Sequence, residues 1–326
     1  MSAIVNVLLV GFSPILVDVA VQCRDEGLTV ALAFGPRQRA EWAELPEGGS
    51  LLAGNVDIVE AESFDEVADR LALNPSWLVV SMGAPFLFRA HHLDLVAGHV
   101  INMHAAPLPE YRGGGGYSWR IMNGDRRGAV LIHQITPGID DGPVLFRRDY
   151  GFPPELRTPE QYRRYAIEQD RPAMLDMVRR IVADGELPPA VAQEGAATYF
   201  PRLSTDVHGA IDWSWPAPSV VDFVRAFDHP YPGAFTTLRG NRVRVVDAEN
   251  VDWVPVKPHP FMSGLLVAED GDAWIIAANS GYIRARILFD GPPPRLGDRL
   301  TTDATLLEAA RAARVEYLPN GPVVRE

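Results

Sequence analysis

Asn102 and His104 close the apolar run Val100-Ile101. Strand alternation puts both side chains on one face, at the point where the run gives way to Ala105-Ala106-Pro107-Leu108-Pro109. Further on, the acidic turn Thr136-Pro137-Gly138-Ile139-Asp140-Asp141-Gly142-Pro143 separates the strand-like stretches 129–135 and 144–148. An amide, an imidazole and a carboxylate are what acyl transfer to an amine requires. The amine's attack creates a tetrahedral carbon with a developing oxyanion, which an Asn N–H stabilises. A histidine donates to that oxygen or moves the amine proton. A carboxylate orients the histidine and, through water, takes the proton that nitrogen loses. Direct attack by the amine needs no activated serine or cysteine, and Cys23 falls inside an expected helix. Acidic turns also arise for backbone reasons alone, so the argument rests on the three residues together.

The elements that must position them alternate. Strand-like runs at 4–10, 29–34, 56–59, 77–82 and 99–104 are separated by helical spacing at 14–26, 64–73 and 85–97. The stretch 37–54, polar with Pro and Gly, reads as a loop. This order predicts an α/β fold: a Rossmann-like, mostly parallel sheet with helices on both faces. In such sheets ligands sit outside the carboxyl ends of the strands, where Asn102 and His104 emerge. A long helix is expected over 157–184, its charged residues on a solvated face. Past it lie a helix at 217–227 and short strands at 233–238, 242–246, 264–268, 273–277 and 282–288. Gly-containing turns separate most of them, which predicts a smaller β-rich, OB-like barrel. The expected division is 1–200 and 201–326, with Trp213 and Trp215 packing the junction.

Composition excludes several classes. The 326 residues carry a net charge of −12, which argues against broad nucleic-acid binding. No apolar run reaches membrane-spanning length, and the N-terminus has no basic leader, so a secretory signal is not expected. One cysteine excludes an internal disulfide framework and points to a cytoplasmic compartment. His91, His92, His99, His133, His208, His229 and His259 show no metal spacing, and no metal is expected. Neither GxGxxG nor GxxxxGK[ST] follows the first strand, which reads Val10-Gly11-Phe12-Ser13-Pro14.

The pattern Asn102-x-His104-x-x-x-Leu108-Pro109-x-Tyr111-Arg112-Gly113, followed by Gly138-Ile139-Asp140-Asp141-Gly142-Pro143, resembles the 10-formyltetrahydrofolate-dependent formyltransferase family. Trp119-Arg120-Ile121-Met122-Asn123-Gly124-Asp125, Tyr199-Phe200-Pro201-Arg202-Leu203, Ile211-Asp212-Trp213 and Pro230-Tyr231-Pro232-Gly233 extend the likeness to the two-domain members. The resemblance implies that Asn102, His104 and Asp140, rather than Asp141, form the catalytic triad. It implies 10-formyltetrahydrofolate as co-substrate, in a pterin cleft around Phe86, Leu87, Phe88, Thr136, Gly138 and Ile139. Phe86 and Phe88 read equally well as core. Arg112, Gly113 and Gly114 are candidates for substrate binding, the glycines letting phosphates approach the backbone or forming a loop tip. Ala106 and Pro107 stand where many members have Ser and Leu, which bears on the substrate.

Among the members, the methionyl-tRNA enzyme carries an added basic loop in its first half. The comparable stretch 35–54 holds Arg37, Arg39, Glu41, Glu44 and Glu47 and is not net basic. The expected acceptor is therefore the amine of a nucleotide-linked (dTDP or UDP) amino sugar. The alternatives are a methionyl-tRNA formyltransferase, with tRNA as partner, and a 10-formyltetrahydrofolate hydrolase. The sequence leaves a homodimer open.

Overall fold

The computed structural model describes residues 3–54, 56–318 and 321–325. In chain order the first half comprises β1 (Asn6–Gly11), α1 (Pro14–Asp25), β2 (Thr29–Phe34), α2 (Pro36–Ala43), α3 (Pro46–Ala53), β3 (Asp57–Glu60), α4 (Phe64–Leu71), β4 (Trp77–Met82), α5 (Ala90–Leu95) and β5 (Val100–Met103). Then follow β6 (Arg112–Gly113), α6 (Gly116–Met122), β7 (Arg127–Gln134), β8 (Val144–Gly151), α7 (Pro159–Asp184) and β9 (Tyr199–Phe200). The seven-stranded sheet runs β3-β2-β1-β4-β5-β7-β8. Its first five strands are parallel, and β7 and β8 join antiparallel. Period-two alternation sends Val7 and Leu9 of β1 into one apolar cluster with α1 and α7, and Leu8 and Val10 into another with α4. Both faces are thus covered, as a parallel sheet requires.

Two readings of this half need correction. Residues 37–54 are not a loop, because α2 and α3 fill them. Each has proline in its first turn, where no N–H is needed. Gly48 is there because a Cβ would lie 2.2 Å from the Trp42 carbonyl, so α3 sits directly on the end of α2. Between 85 and 97 only Ala90–Leu95 is helical, starting where the Arg89 N–H bonds to His92 Nδ1 at 3.1 Å.

The second half comprises α8 (Thr205–His208), α9 (Ala217–Ala226), β10 (Ala234–Leu238), β11 (Asn241–Val251), β12 (Leu266–Asp270), β13 (Ala273–Ala278), β14 (Gly281–Leu288), β15 (Leu300–Thr301), α10 (Ala304–Ala312), β16 (Arg314–Leu318) and β17 (Gly321–Arg325). Its six-stranded antiparallel sheet has the order β12-β13-β14-β11-β10-β15. A bridge between Leu265 and Arg299 joins the two edges, so the sheet curls back on itself. Trp213 is buried, and Trp215 packs beside it, in a cluster that also takes Ile121, Phe152 and Tyr162 from the first half. The charged residues of α7 are not all solvated: Glu160 and Asp170 are buried.

Candidate active site

The site starts from strand register. Asn102 in β5 lies opposite His133 in β7. Cross-strand partners share a face, and the Asn102 Nδ2 atom is 3.2 Å from His133 Nε2. His133 Nδ1 lies 2.9 Å from the Gln134 carbonyl, which only accepts. The ring therefore carries its proton on Nδ1, and Nε2 accepts from the Asn102 amide. One residue past β5, the His104 backbone N–H still bonds to Leu131 O at 2.9 Å, so the side chain leaves the sheet at a fixed height.

His104 Nε2 donates to the Tyr111 carbonyl at 2.7 Å. Tyr111 is itself held, its ring stacked on Phe200 at 4.9 Å and its hydroxyl donating to Asp125 at 2.8 Å. By the same tautomer argument, His104 Nδ1 is an acceptor, and it faces Asp140 Oδ2 at 3.6 Å. The other carboxylate oxygen of Asp140 is 3.6 Å from His133 Nε2. Both separations exceed hydrogen-bond length. Acceptors therefore face one another, an arrangement satisfied by a group that donates to both, as an amine does. Asp140 Oδ2 also accepts the Gly113 N–H at 2.9 Å.

The electrostatics follow from burial. Burial draws the His104 pKa below its ordinary 6.5, against the opposing charge of Asp140 and with His133 adding to the fall. The ring is neutral at pH 7, with its lone pair on Nδ1. Burial alone would push Asp140 up. In acid, where this carboxyl would take its proton, a hydrogen bond from His133, the His104 charge and the Gly113 N–H more than offset it and hold the carboxyl well below the usual carboxylate range. A neutral imidazole beside a firmly ionised carboxylate is suited to accepting a proton from nitrogen. The cysteine takes no part: Cys23 is fully buried in α1, which pushes its thiol up to about 12.

Tertiary structure separates the two aspartates. Asp140 has φ 47°, in the left-handed region, and points inward. Asp141 turns back on its own loop, its carboxylate bonded to the Thr136 hydroxyl and seated over Gly138, where a Cβ would lie 2.0 Å from Oδ2. The Thr136 hydroxyl is thereby occupied, whereas Ile139 is exposed. Phe86 and Phe88 pack on Phe64, with centroids 6.4 and 4.7 Å away, so their rings belong to the core. Leu87 between them is 80% exposed. What this loop presents to a ligand is its backbone and Leu87.

The glycine-rich stretch also differs from expectation. A Cβ at Gly113 would lie 2.3 Å from Phe200 O, and one at Gly114 would lie 2.1 Å from Arg202 Cγ. These glycines let β9 and the residue Arg202 beyond it pack against the site. Arg112 gives Nε and Nη2 to Gln193 Oε1 at 3.2 and 2.8 Å, so two of its donors are engaged within the chain. His133 and Gln193 escaped the sequence reading. For His133 a signal existed: a polar residue near the end of an apolar strand, the same feature that marks Asn102. Gln193 had none, because its partners are distant in sequence.

Elsewhere among the described residues, Asp65, His91 and His92 converge, with His91 Nε2 and His92 Nε2 at 2.9 and 2.8 Å from Asp65 Oδ1. The Arg89 N–H occupies His92 Nδ1, so Nε2 carries the proton and donates to the carboxylate. That arrangement ties α4 to α5 and leaves His92 without a lone pair for a cation.

Comparisons with known proteins agree with this architecture. A family model described as "Formyl transferase" matches residues 62–178, and one described as "Formyl transferase, C-terminal domain" matches 204–291. A methionyl-tRNA formyltransferase of Solibacter usitatus is 35% identical over 156 residues, 47% of this chain and 48% of that enzyme. The one from Streptococcus equi subsp. equi is 28% identical over 71% of this chain and 70% of its own length. The chain thus spans about half of the first relative's length and 70% of the second's. Among solved structures, an N-formyltransferase from Helicobacter canadensis, in complex with folinic acid and dTDP-3-aminofucose, superposes with a TM-score of 0.67. It is 14% identical, and the match covers 87% of this chain and 99% of that one. Fold and matches together define a chain with an α/β unit and a β-rich second unit. The chain belongs to the formyltransferase family, with both of its domains.

Proposed function

We propose that the protein transfers a formyl group from 10-formyltetrahydrofolate to a primary amine, most directly the amino group of a dTDP- or UDP-linked sugar. The observation that carries the reading is the approach of His104 and Asp140 at the carboxyl edge of one sheet, with Asn102 joined to Asp140 through His133. The amine attacks the formyl carbon, the C–N bond to the folate N10 breaks, and the tetrahydrofolate nitrogen takes a proton in return. Asn102 steadies the oxyanion. His104 Nδ1, with Asp140 behind it, accepts the proton the amine sheds. The loop 83–89 and the turn 136–140 flank the pterin, contributing backbone groups, Leu87 and Ile139. Residues 1–200 make up the catalytic unit and 201–326 the second unit, and the compartment is the cytoplasm.

The sugar acceptor is favoured by the fold likeness to the Helicobacter canadensis enzyme over nearly its whole length. The stretch 35–54 also favours it: Arg37 and Arg39 are paired with Glu41 and Glu60 rather than forming a basic grip. The names of the sequence relatives favour methionyl-tRNA as the second reading. Incubation with 10-formyltetrahydrofolate and a panel of dTDP- and UDP-amino sugars, beside charged methionyl-tRNA, decides between them. A formamide on a sugar supports the first reading. Formylation of the tRNA alone overturns it, and formate release at the same rate without any amine points to hydrolysis.

A further inference from the structure

We propose that Gln193 is a positioning residue for Asp140, holding the turn that carries the carboxylate at its distance from His104, with Arg112 fixing the Gln193 amide. This deepens the formyl-transfer reading and rests on it. The turn needs such a support. Asp140 sits at φ 47°, a backbone region that L-residues with a side chain seldom adopt and that surrounding contacts must enforce. Gln193 comes from far along the chain, in the extended segment after α7. That segment is registered against β8 by Val144 N–H to Val191 O at 2.7 Å and Val191 N–H to Val144 O at 2.8 Å. Two residues past this bridge, Gln193 Nε2 donates to both Asp140 O and Gly142 O at 2.8 Å.

The amide orientation is settled by its partners. Carbonyls only accept and a guanidinium only donates, so Nε2 must face the turn and Oε1 must face Arg112. Both amide hydrogens are then used on the turn. Arg112 also adjoins Gly113, whose N–H holds Asp140 Oδ2 at 2.9 Å. The carbonyl and the carboxylate of one residue are thus gripped from two neighbouring anchors. Misplacement of a reacting group by about 1 Å can cost on the order of 100-fold in rate, so a turn held this way matters to catalysis without touching substrate.

Two variants test it. Gln193→Ala removes the grip; Arg112→Lys loosens it indirectly, since an ammonium cannot reproduce the forked contact. Two readouts are taken: kcat in the formyl-transfer assay, and the titration of the His104 ring followed by NMR on histidine-labelled protein. The groups facing His104 are Asp140, His133, Arg120 and the Tyr111 carbonyl, and Asp140 is the charge that favours its protonation. Withdrawal of Asp140 therefore lowers the His104 midpoint. The expected result for Gln193→Ala is a kcat reduced about 10-fold or more and a lower His104 midpoint, at a melting temperature close to that of the parent protein. Arg112→Lys shows the same two changes, smaller. An unchanged His104 midpoint overturns the proposal whatever the rate does, as does a lowered midpoint with unchanged kcat. If the parent protein formylates no amine, the functional reading fails on its own, and the NMR titration still decides whether Gln193 sets the distance.

Discussion

At the carboxyl edge of the seven-stranded sheet, Asp140 lies 3.6 Å from each of two histidines, with all three side chains largely shielded from solvent. On the six-stranded sheet, Arg284 meets Asp270 at 2.6 Å and Arg286 meets Asp247 at 2.7 Å, at half-exposed positions. The exposed pairs are the closer ones, yet burial rather than distance decides what each set is worth. Water screens the second set, so each pair is worth little. In the first set burial and mutual charge set the ionisation of His104 and Asp140, and removing one leaves a buried partner uncompensated. A third place is intermediate: Asp170 of α7 is buried with one oxygen lacking any hydrogen-bond partner. Its cationic neighbours are spent elsewhere. Arg120 donates to the carbonyls of Gly116, Arg127 and Ala105, and Arg148 to that of Gln169. Burial pushes Asp170 up to about 7.

Substitutions should separate these regions by size of effect. The largest belongs to His104→Ala, which should lower kcat by about 10²–10⁴-fold. Asp140→Asn should cost on the order of 10²-fold, whereas Asp141→Asn should stay within a few-fold, because Asp141 only closes its own loop. Equal losses at both aspartates in a steady-state assay would break the distinction drawn from their orientation. The pH profile sharpens it. In the proposed mechanism His104 must be neutral, and its pKa is drawn below 6.5. The acid limb of kcat/KM should therefore fall below that pH, with no loss between pH 7 and 8. In Asp140→Asn it should lie lower still, since the charge favouring the imidazolium is gone.

Asp170 should act on stability. Its folded pKa is raised from 3.8 to about 7, so the folded state holds the proton more tightly. The associated stability is complete below pH 3.8 and is lost as pH climbs through about 7. Asp170→Asn should thus melt like the parent protein near pH 4 and above it at pH 8. The difference should be a few kcal/mol, a tenfold change in proton affinity being worth about 1.4 kcal/mol. Thermal melts at the two pH values check this. The smallest effect belongs to Arg286→Ala, expected to change stability by about 0.2–1 kcal/mol and to fade further in high salt.

Much of the site was legible because its signals are local. Two polar residues ending an apolar strand, and an Asp-Asp-Gly turn after another, are visible without coordinates. The α/β order and the curled β-rich unit came from periodicity in the same way. Residues 37–54 misled because their glycines look like loop residues, although Gly48 is required by helix–helix contact with Trp42. Phe86 and Phe88 could have faced core or ligand; packing on Phe64 decided it.

The sequence by itself determined which residue types gather at the sheet edge, since a strand's period and a turn's composition are properties of neighbouring residues. Only the tertiary structure decided which aspartate faces inward, that His133 completes the group, and that Gln193 holds the turn. Those outcomes depend on register between β5 and β7 and on a segment joined to β8 from beyond α7. Contacts between residues so far apart along the chain exist only once the chain has folded, and no local pattern encodes them.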